Sequence, residues 1–317
     1  PGAASWSPDS PVLHQAEFTL KHDGSAVDCS RERFGIRSIK ASKRDLLLNG
    51  QPIRLCGFNK HEDSPSRGMM ADPSLARADL EAMKRMGCNF IRLAHYPHDP
   101  ATLDICDEIG LLAMGEVPVY WWHGNPDEES RMIVEAGKRQ LTQLIERDFN
   151  YPSVIIWSAS NETGEKSLEH VRRGNAELVE HARACDPSRL AVHVSIAPSI
   201  TAETSNADDL LCVNDYPSVG AMHRQEEWNP GKYEAHWRGL LAHLWELYPD
   251  KPLLVPEFGY PALRGLRGGS AGEDQQCQAI EAEFNGIKNS DACGCVIWCW
   301  ADHPWPKGME KQELRTS

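Results

Sequence analysis

Short apolar runs recur along this chain, separated by longer stretches whose apolar residues repeat at helical spacing. Eight runs read as strands: Ile53-Arg-Leu-Cys-Gly-Phe58, Phe90-Ile-Arg-Leu93, Leu111-Leu-Ala-Met114, Val154-Ile-Ile156, Leu190-Ala-Val-His-Val194, Leu210-Leu-Cys-Val213, Leu253-Leu-Val255 and Cys295-Val-Ile-Trp298. The Val154 run is β-branched and unbroken by polar residues, the texture of a strand buried on both faces. Helical patterns fall at 74–86, 101–109, 127–149, 166–185, 233–247 and 274–287. The connection between Val194 and Leu210 has weak helical character. Strands alternating with helices predict a parallel sheet, and eight such repeats predict a closed (β/α)₈ TIM barrel rather than an open doubly wound sheet. Only 17 residues follow Trp300, polar and broken by proline, so a barrel truncated at its C-terminal end is expected.

Residues 1–38 have a different texture. Phe18-Thr-Leu20 and Ala26-Val27 flank the turn Lys21-His-Asp-Gly24 and predict a hairpin. Arg33-Phe-Gly-Ile-Arg37 reads as one more short strand. Two or three strands cannot close a sandwich, so they lean on the main domain or end another one. Asn49-Gly50, after Leu46-Leu-Leu48, is a turn.

Composition narrows the function classes. The net charge of −13 argues against nucleic acid and anionic membranes as partners. No apolar run approaches a membrane span, and the start Pro1-Gly2-Ala3-Ala4-Ser5 has no basic-then-apolar signal pattern. None of the ten cysteines forms a CxxC pair. Cys56, Cys106, Cys212, Cys295 and Cys299 sit in apolar segments and read as buried free thiols, which points to a reducing, cytoplasmic setting. No G-x-G-x-x-G or P-loop follows an early strand, which argues against a nucleotide cofactor.

Polar residues gather where the strands end: His61 and Glu62, His95 and His98, Glu116, Asn161 and Glu162, Tyr216, Glu257. On a barrel these all point to one mouth. Two carboxylates across a pocket suit glycoside hydrolysis, one protonated to assist the leaving group and one ionised to attack or to activate water. Asn161 could bond a sugar hydroxyl, and Tyr216 could orient a carboxylate. His61 and His95 suit substrate hydroxyls, whereas His98 and His193 read as structural. Trp298 and Trp300 alternate, so one can wall the pocket while the other packs outward. The histidines could instead gather round zinc as in barrel hydrolases. No His-x-His stands at the first strand and no lysine is placed to bridge two metals, so no metal and no cofactor is expected.

The motifs resemble the catalytic barrel of glycoside hydrolase family 2, which contains β-galactosidases, β-glucuronidases and β-mannosidases. Five stretches carry the resemblance: Gly57-Phe-Asn-Lys-His61-Glu, Asn89-Phe-Ile-Arg-Leu-Ala-His95-Tyr-Pro, Arg147-Asp-Phe-Asn-Tyr-Pro-Ser-Val-Ile-Ile-Trp157, Asn161-Glu162 and Pro256-Glu257-Phe-Gly259. Trp6-Ser-Pro-Asp-Ser-Pro and Phe34-Gly-Ile-Arg37 resemble the end of the immunoglobulin-like β-sandwich that precedes this barrel. The resemblance implies a sandwich remnant at 1–38 and a catalytic barrel at 39–317. It implies Glu162 as general acid/base, Glu257 as nucleophile, Tyr216 as the nucleophile's contact, and His61, His95, Asn161 and Trp298 in the sugar pocket. It implies retention of configuration through a covalent glycosyl-enzyme, with carboxyl groups about 5–5.5 Å apart.

Two departures bear on the sugar. Gly115-Glu-Val-Pro-Val-Tyr-Trp-Trp-His123 does not match the magnesium-binding stretch of many β-galactosidases, which again argues against a metal. No Asn-x-Lys, the sugar-acid motif of β-glucuronidases, follows Trp298. The expectation is therefore a retaining exo-β-glycosidase with a carbohydrate substrate, β-galactosidase ahead of β-glucuronidase, its assembly as a homo-oligomer left open. The rivals are a carbohydrate-binding barrel that has lost turnover and a metal-dependent barrel hydrolase.

Overall fold

A computed structural model describes residues 2–64, 67–122, 128–164 and 168–301. The chain opens with an antiparallel hairpin, β1 (His14–His22) and β2 (Ser25–Phe34). Arg33 and Phe34 complete β2 and residues 35–37 carry irregular backbone, so the additional strand expected at 33–37 is instead the end of the hairpin. A small antiparallel sheet follows: β3 (Ile39–Ser42), β4 (Asp45–Leu48) and β5 (Gln51–Pro52). Asn49 and Gly50, both at positive φ (52° and 79°), turn β4 into β5, as Asn-Gly does in tight hairpins.

The remaining elements build the barrel: β6 (Leu55–Lys60), α1 (Pro73–Arg85), β7 (Phe90–Leu93), α2 (Pro100–Ile109), β8 (Leu112–Glu116), α3 (Glu128–Asp148), β9 (Val154–Asn161), α4 (Glu169–Cys185), β10 (Leu190–Ile196), β11 (Leu211–Asn214), α5 (Pro217–His223), α6 (Pro230–Leu247), β12 (Leu253–Phe258), α7 (Glu273–Lys288) and β13 (Gly294–Ile297). Strands β6 to β13 pair in parallel in chain order, and β13 closes on β6. The eight-stranded TIM barrel is thus formed as its periodicity predicts. Between β10 and β11 there is only a single 3₁₀ turn at Ala197–Ser199. Helix α5, directly after Tyr216, was not foreseen; Pro217 sits in its first turn, where a missing N–H costs nothing. The expected starts of α3 at 127 and α4 at 166, and the tail after Ala301, lie outside the described residues.

Two apolar layers hold the barrel. Inside, Phe90, Leu112, Ile156, Val192 and Leu254 cluster with Leu46 and Leu48 of β4, all buried. Most of these stand at or near strand starts, so the small sheet seals the end opposite the mouth. Outside, Ile91, Ala113, Trp157 and Ala191 face helix residues such as Leu80, Leu103, Leu141 and Leu178. Local chemistry sets where the helices begin. Asp72 caps α1 by accepting from the backbone N–H of Ser74 and Leu75, and Asp99 caps α2 by accepting from Ala101, each with proline next in sequence. All ten cysteines carry free thiols. Cys106, Cys212, Cys295 and Cys299 are buried, but Cys56, expected inside, is exposed: its strand alternates, and its side chain falls on the solvent side next to buried Leu55 and Gly57. Among the described residues no helix is long and apolar enough to cross a membrane.

Candidate active site

Seven of the eight barrel strands carry a polar residue toward their carboxyl end, β13 (Gly294–Ile297) being the exception, and several of these residues share one level. Register pairs Asn59 of β6 with Arg92 of β7, Val194 of β10 with Asn161 of β9, and Asn214 of β11 with Glu257 of β12. All of these except Val194 are polar, and all are buried.

Arg92 is the hub of this level. Its side chain is wholly buried, and its guanidinium donates to both oxygens of Glu116 at 2.8 to 3.1 Å. It also donates to Asn161 Oδ1 at 2.8 Å, to Asn59 Oδ1 at 3.2 Å, and to Glu257 Oε1. Burial alone would destabilise the guanidinium's charge, but Glu116 and Glu257 outweigh it and hold the proton more tightly than usual. Burial likewise works to raise Glu116, and Arg92 and His95 overcome it, holding that carboxyl down to about 2. His95 Nδ1 lies 2.7 Å from Glu116 Oε1, so Glu116 orients the imidazole.

The two catalytic candidates sit in contrasting surroundings. Glu257 receives Arg92 on Oε1 and the Tyr216 hydroxyl on Oε2, the latter at 2.6 Å. Burial, then the charges of Glu257 and Glu162, push the Tyr216 phenol well above its ordinary range, so it stays a donor. Glu162 receives Asn214 Nδ2 on Oε1 at 2.9 Å and Trp121 Nε1 on Oε2 at 3.2 Å. Burial, seconded by the charge of Glu257, raises its carboxyl above the usual range despite those donors. Glu162 also has φ +48°, a left-handed backbone unusual for a side chain of this size. Its N–H donates to Val194 O at 2.8 Å, which helps to fix that conformation.

The remaining candidates close the pocket wall. Trp298 stacks over His95 with ring centres 5.2 Å apart and planes 16° apart. His61 stands edge-on to Trp298 at 5.3 Å and to His95 at 5.7 Å, and its Nδ1 lies 3.2 Å from the Tyr96 hydroxyl. Trp300 goes the other way, edge-on to Phe58 at 5.2 Å in the outer apolar layer. Asn161 accepts from both Arg92 and Asn214, so its amide is held in one orientation. A Cβ at Gly259 would sit 2.6 Å from Trp298 O, so the chain after β12 can approach Trp298 only with glycine there. All seven residues singled out from sequence, His61, His95, Asn161, Glu162, Tyr216, Glu257 and Trp298, thus join one contact network. His98 and His193 are engaged elsewhere. His98 bonds Ala94 O and is driven to about 3 by burial, and His193 lies 2.7 Å from Asp208.

Sequence reasoning missed Arg92, Asn59 and Asn214 as members of this network and left Glu116 unassigned. The signal was present: a charged or amide side chain inside an otherwise apolar barrel strand must be buried with partners. Among the described residues no group of three or more His, Cys, Asp or Glu side chains is arranged to hold a metal ion.

Residues 39–305 match the family model described as "Glycosyl hydrolases family 2, TIM barrel domain", and residues 2–37 match the one described as "Glycosyl hydrolases family 2". The chain is 30% identical over 306 residues to a beta-galactosidase of Lactococcus lactis, covering 94% of this chain and 27% of that protein. It is 29% identical over 319 residues to a beta-glucuronidase of Streptococcus agalactiae, covering 94% and 52%. Among solved structures, the beta-D-glucuronidase of Dictyoglomus thermophilum shares the fold with a TM-score of 0.89 at 27% identity, over 99% of this chain and 55% of that one. A beta-galacturonidase of Eisenbergiella tayi bound to galacturonate gives 0.84 at 27% identity, over 99% and 56%. The chain therefore spans about half the length, or less, of these relatives.

Proposed function

The chain belongs to glycosyl hydrolases family 2, and from that premise we propose that the barrel mouth removes a terminal β-linked sugar with net retention of configuration. Glu257 attacks the anomeric carbon while Glu162 protonates the glycosidic oxygen. The bond to the leaving group breaks and a covalent glycosyl-enzyme forms on Glu257. Glu162, now ionised, takes a proton from water, and the water oxygen attacks the anomeric carbon from the face the leaving group vacated, opposite Glu257, whose bond to that carbon breaks. One observation carries this reading. The carboxyl of Glu162 is raised by burial and by the charge of Glu257, as an acid requires, while Glu257 accepts from a guanidinium and a phenol, donors that suit an ionised nucleophile.

His61, His95, Asn161 and Trp298 form the sugar pocket in this reading, with Tyr216 orienting the nucleophile. Residues 1–38 are the end of an immunoglobulin-like sandwich and 39–317 the catalytic domain. The free thiols accord with a reducing, cytoplasmic setting. For the sugar, a β-galactoside comes first. The guanidinium at the floor is already committed to Glu116 and Glu257, which makes a neutral sugar the better match. A β-glucuronide is the second reading, favoured by relatives and solved neighbours bearing that name.

The test has two arms. A panel of 4-nitrophenyl β-glycosides ranks the sugars. Incubation with the matching 2-deoxy-2-fluoro glycoside, followed by peptide mass spectrometry, should place one sugar on Glu257. A folded protein that takes up no label, or carries it on another residue, would falsify the assignment.

A further inference from the structure

The segment after β8 carries three aromatic residues in a row, Tyr120-Trp121-Trp122, and the fold sorts them by side. Trp122 is 4% exposed and is locked between α3 and α4: a Cβ at Gly174 would come within 2.6 Å of its ring, and Val134 packs beside that same glycine. The backbone around it is pinned to the end of β9. Asn161 N–H donates to Val119 O at 2.8 Å, Trp121 N–H to Asn161 O at 3.1 Å, and Gly164 N–H to Trp122 O at 3.0 Å.

With Trp122 anchored inward, Trp121 is turned out over the mouth. It adopts φ +51°, a left-handed conformation that disfavours a bulky side chain. The residue is 53% exposed although its Nε1 reaches Glu162. Tyr120 is 46% exposed, edge-on to Trp121 at 5.8 Å and 5.8 Å from His95. An unfavourable backbone that aims a large apolar ring at solvent, beside the acid, points to a ligand surface.

We infer that Trp121, flanked by Tyr120, is the platform that receives the leaving group, and that the leaving group presents a flat ring, either an aryl group or the apolar face of a second pyranose. This rests on the reading of Glu162 as the acid. That residue must touch the glycosidic oxygen, so the ring bonded to its outer side lies next to whatever that oxygen carries. His61, His95 and Trp298 wall the sugar side; Trp121 faces the departing side.

The experiment compares three substrates of the same sugar in the full chain: the glycosyl fluoride, the 2,4-dinitrophenyl glycoside and a disaccharide. Fluoride and dinitrophenolate both leave without protonation, so their ratio of kcat/KM reports ring binding rather than acid catalysis. Trp121→Ala should lower the dinitrophenyl-to-fluoride ratio about 10-fold, the scale of a lost stacking contact plus its buried area. Trp121→Phe, which keeps a ring and loses the indole N–H, should hold that ratio within about twofold of the parent. A disaccharide-to-fluoride ratio that falls in Trp121→Ala but not in Trp121→Phe, which also lacks the indole N–H to Glu162, while the dinitrophenyl ratio holds, identifies a sugar as the ring received, and a fall in the dinitrophenyl ratio alone identifies an aryl group. If both ratios hold in Trp121→Ala while the fluoride is still turned over, the platform is disproved. If the parent turns over none of the three, the hydrolase reading itself fails and the platform falls with it.

Discussion

Arg92 and Glu116, on the adjacent strands β7 and β8, form a two-pronged ion pair in which neither side chain reaches solvent. The same guanidinium holds Glu257, so the nucleophile candidate depends on a residue closed off from solvent. Removing one partner of a buried pair leaves the others charged and unpaired, at a cost of about 3–5 kcal/mol. Arg92→Met should therefore lower the unfolding free energy measured by denaturant titration by that amount. The folded fraction should be nearly inactive, because Glu257 has lost its main donor. Arg92→Lys keeps the charge but not the fork and should fall between. An unfolding free energy for Arg92→Met within about 0.5 kcal/mol of the parent, the range of an ordinary surface change, would refute the hub role.

Glu116 gives the pH counterpart. Its folded carboxyl lies at about 2 against an ordinary 4.5. A depressed carboxyl contributes stability above its unfolded value, and that contribution is lost as pH falls from about 4.5 toward 2. Glu116→Gln lacks this term. The difference in Tm between parent and Glu116→Gln should be largest near neutrality and shrink as the solution is acidified through that window. A difference that stays constant with pH goes against the ion pair as its source.

The barrel itself was legible because the signal for it is redundant: eight apolar runs, six helical patterns and polar strand ends all agree. The mouth was legible where its polar groups sit at a strand end, as at Glu162 and Glu257. It was not legible one or two residues earlier. Strands of a parallel barrel are apolar on both faces, so the period-two pattern that would show which side chains point inward is hidden. Arg92 sits inside such a run, whereas Asn59 and Asn214 directly follow theirs, after Phe58 and Val213, where a polar residue reads only as the end of a strand. Register irregularities in β11 and β12, at Cys212/Asn214 and Val255/Phe258, disturb even a correct count. Trp121 was obscure for another reason. Its orientation follows from Trp122 packing between α3 and α4, a contact between segments about 50 residues apart in sequence that no local pattern records.

Tyr216 should matter to rate more than to binding. Its hydroxyl donates to Glu257 at 2.6 Å, and the chain just beyond it is fixed by buried Glu283, which accepts from the Ser218 N–H and hydroxyl. A hydrogen bond to a charged group contributes about 1.5–3 kcal/mol. Tyr216→Phe should thus lower kcat by roughly 10- to 150-fold with little change in thermal stability. Steady-state kinetics on one nitrophenyl glycoside measures it; a change confined to KM would mean that Tyr216 binds sugar instead of orienting the nucleophile.

Asn214 sets the pH at which the acid works. In the proposed mechanism the first step requires protonated Glu162, so kcat/KM should fall as pH rises through that carboxyl's raised value. Asn214 donates to Glu162 at 2.9 Å and favours its ionised form, acting against burial and against the charge of Glu257. Removing the donor lets burial act with less opposition. Asn214→Ala should move the alkaline limb of the kcat/KM profile to higher pH while kcat at the optimum drops, because the carboxyl also loses its orientation. Trp121→Phe, which deletes the other donor to Glu162, should shift the same limb in the same direction. The profile is best taken with a substrate whose leaving group needs protonation. A dinitrophenyl glycoside should show no such limb in the first step, and a limb that shifts equally with both leaving groups would assign the titration to some group other than Glu162.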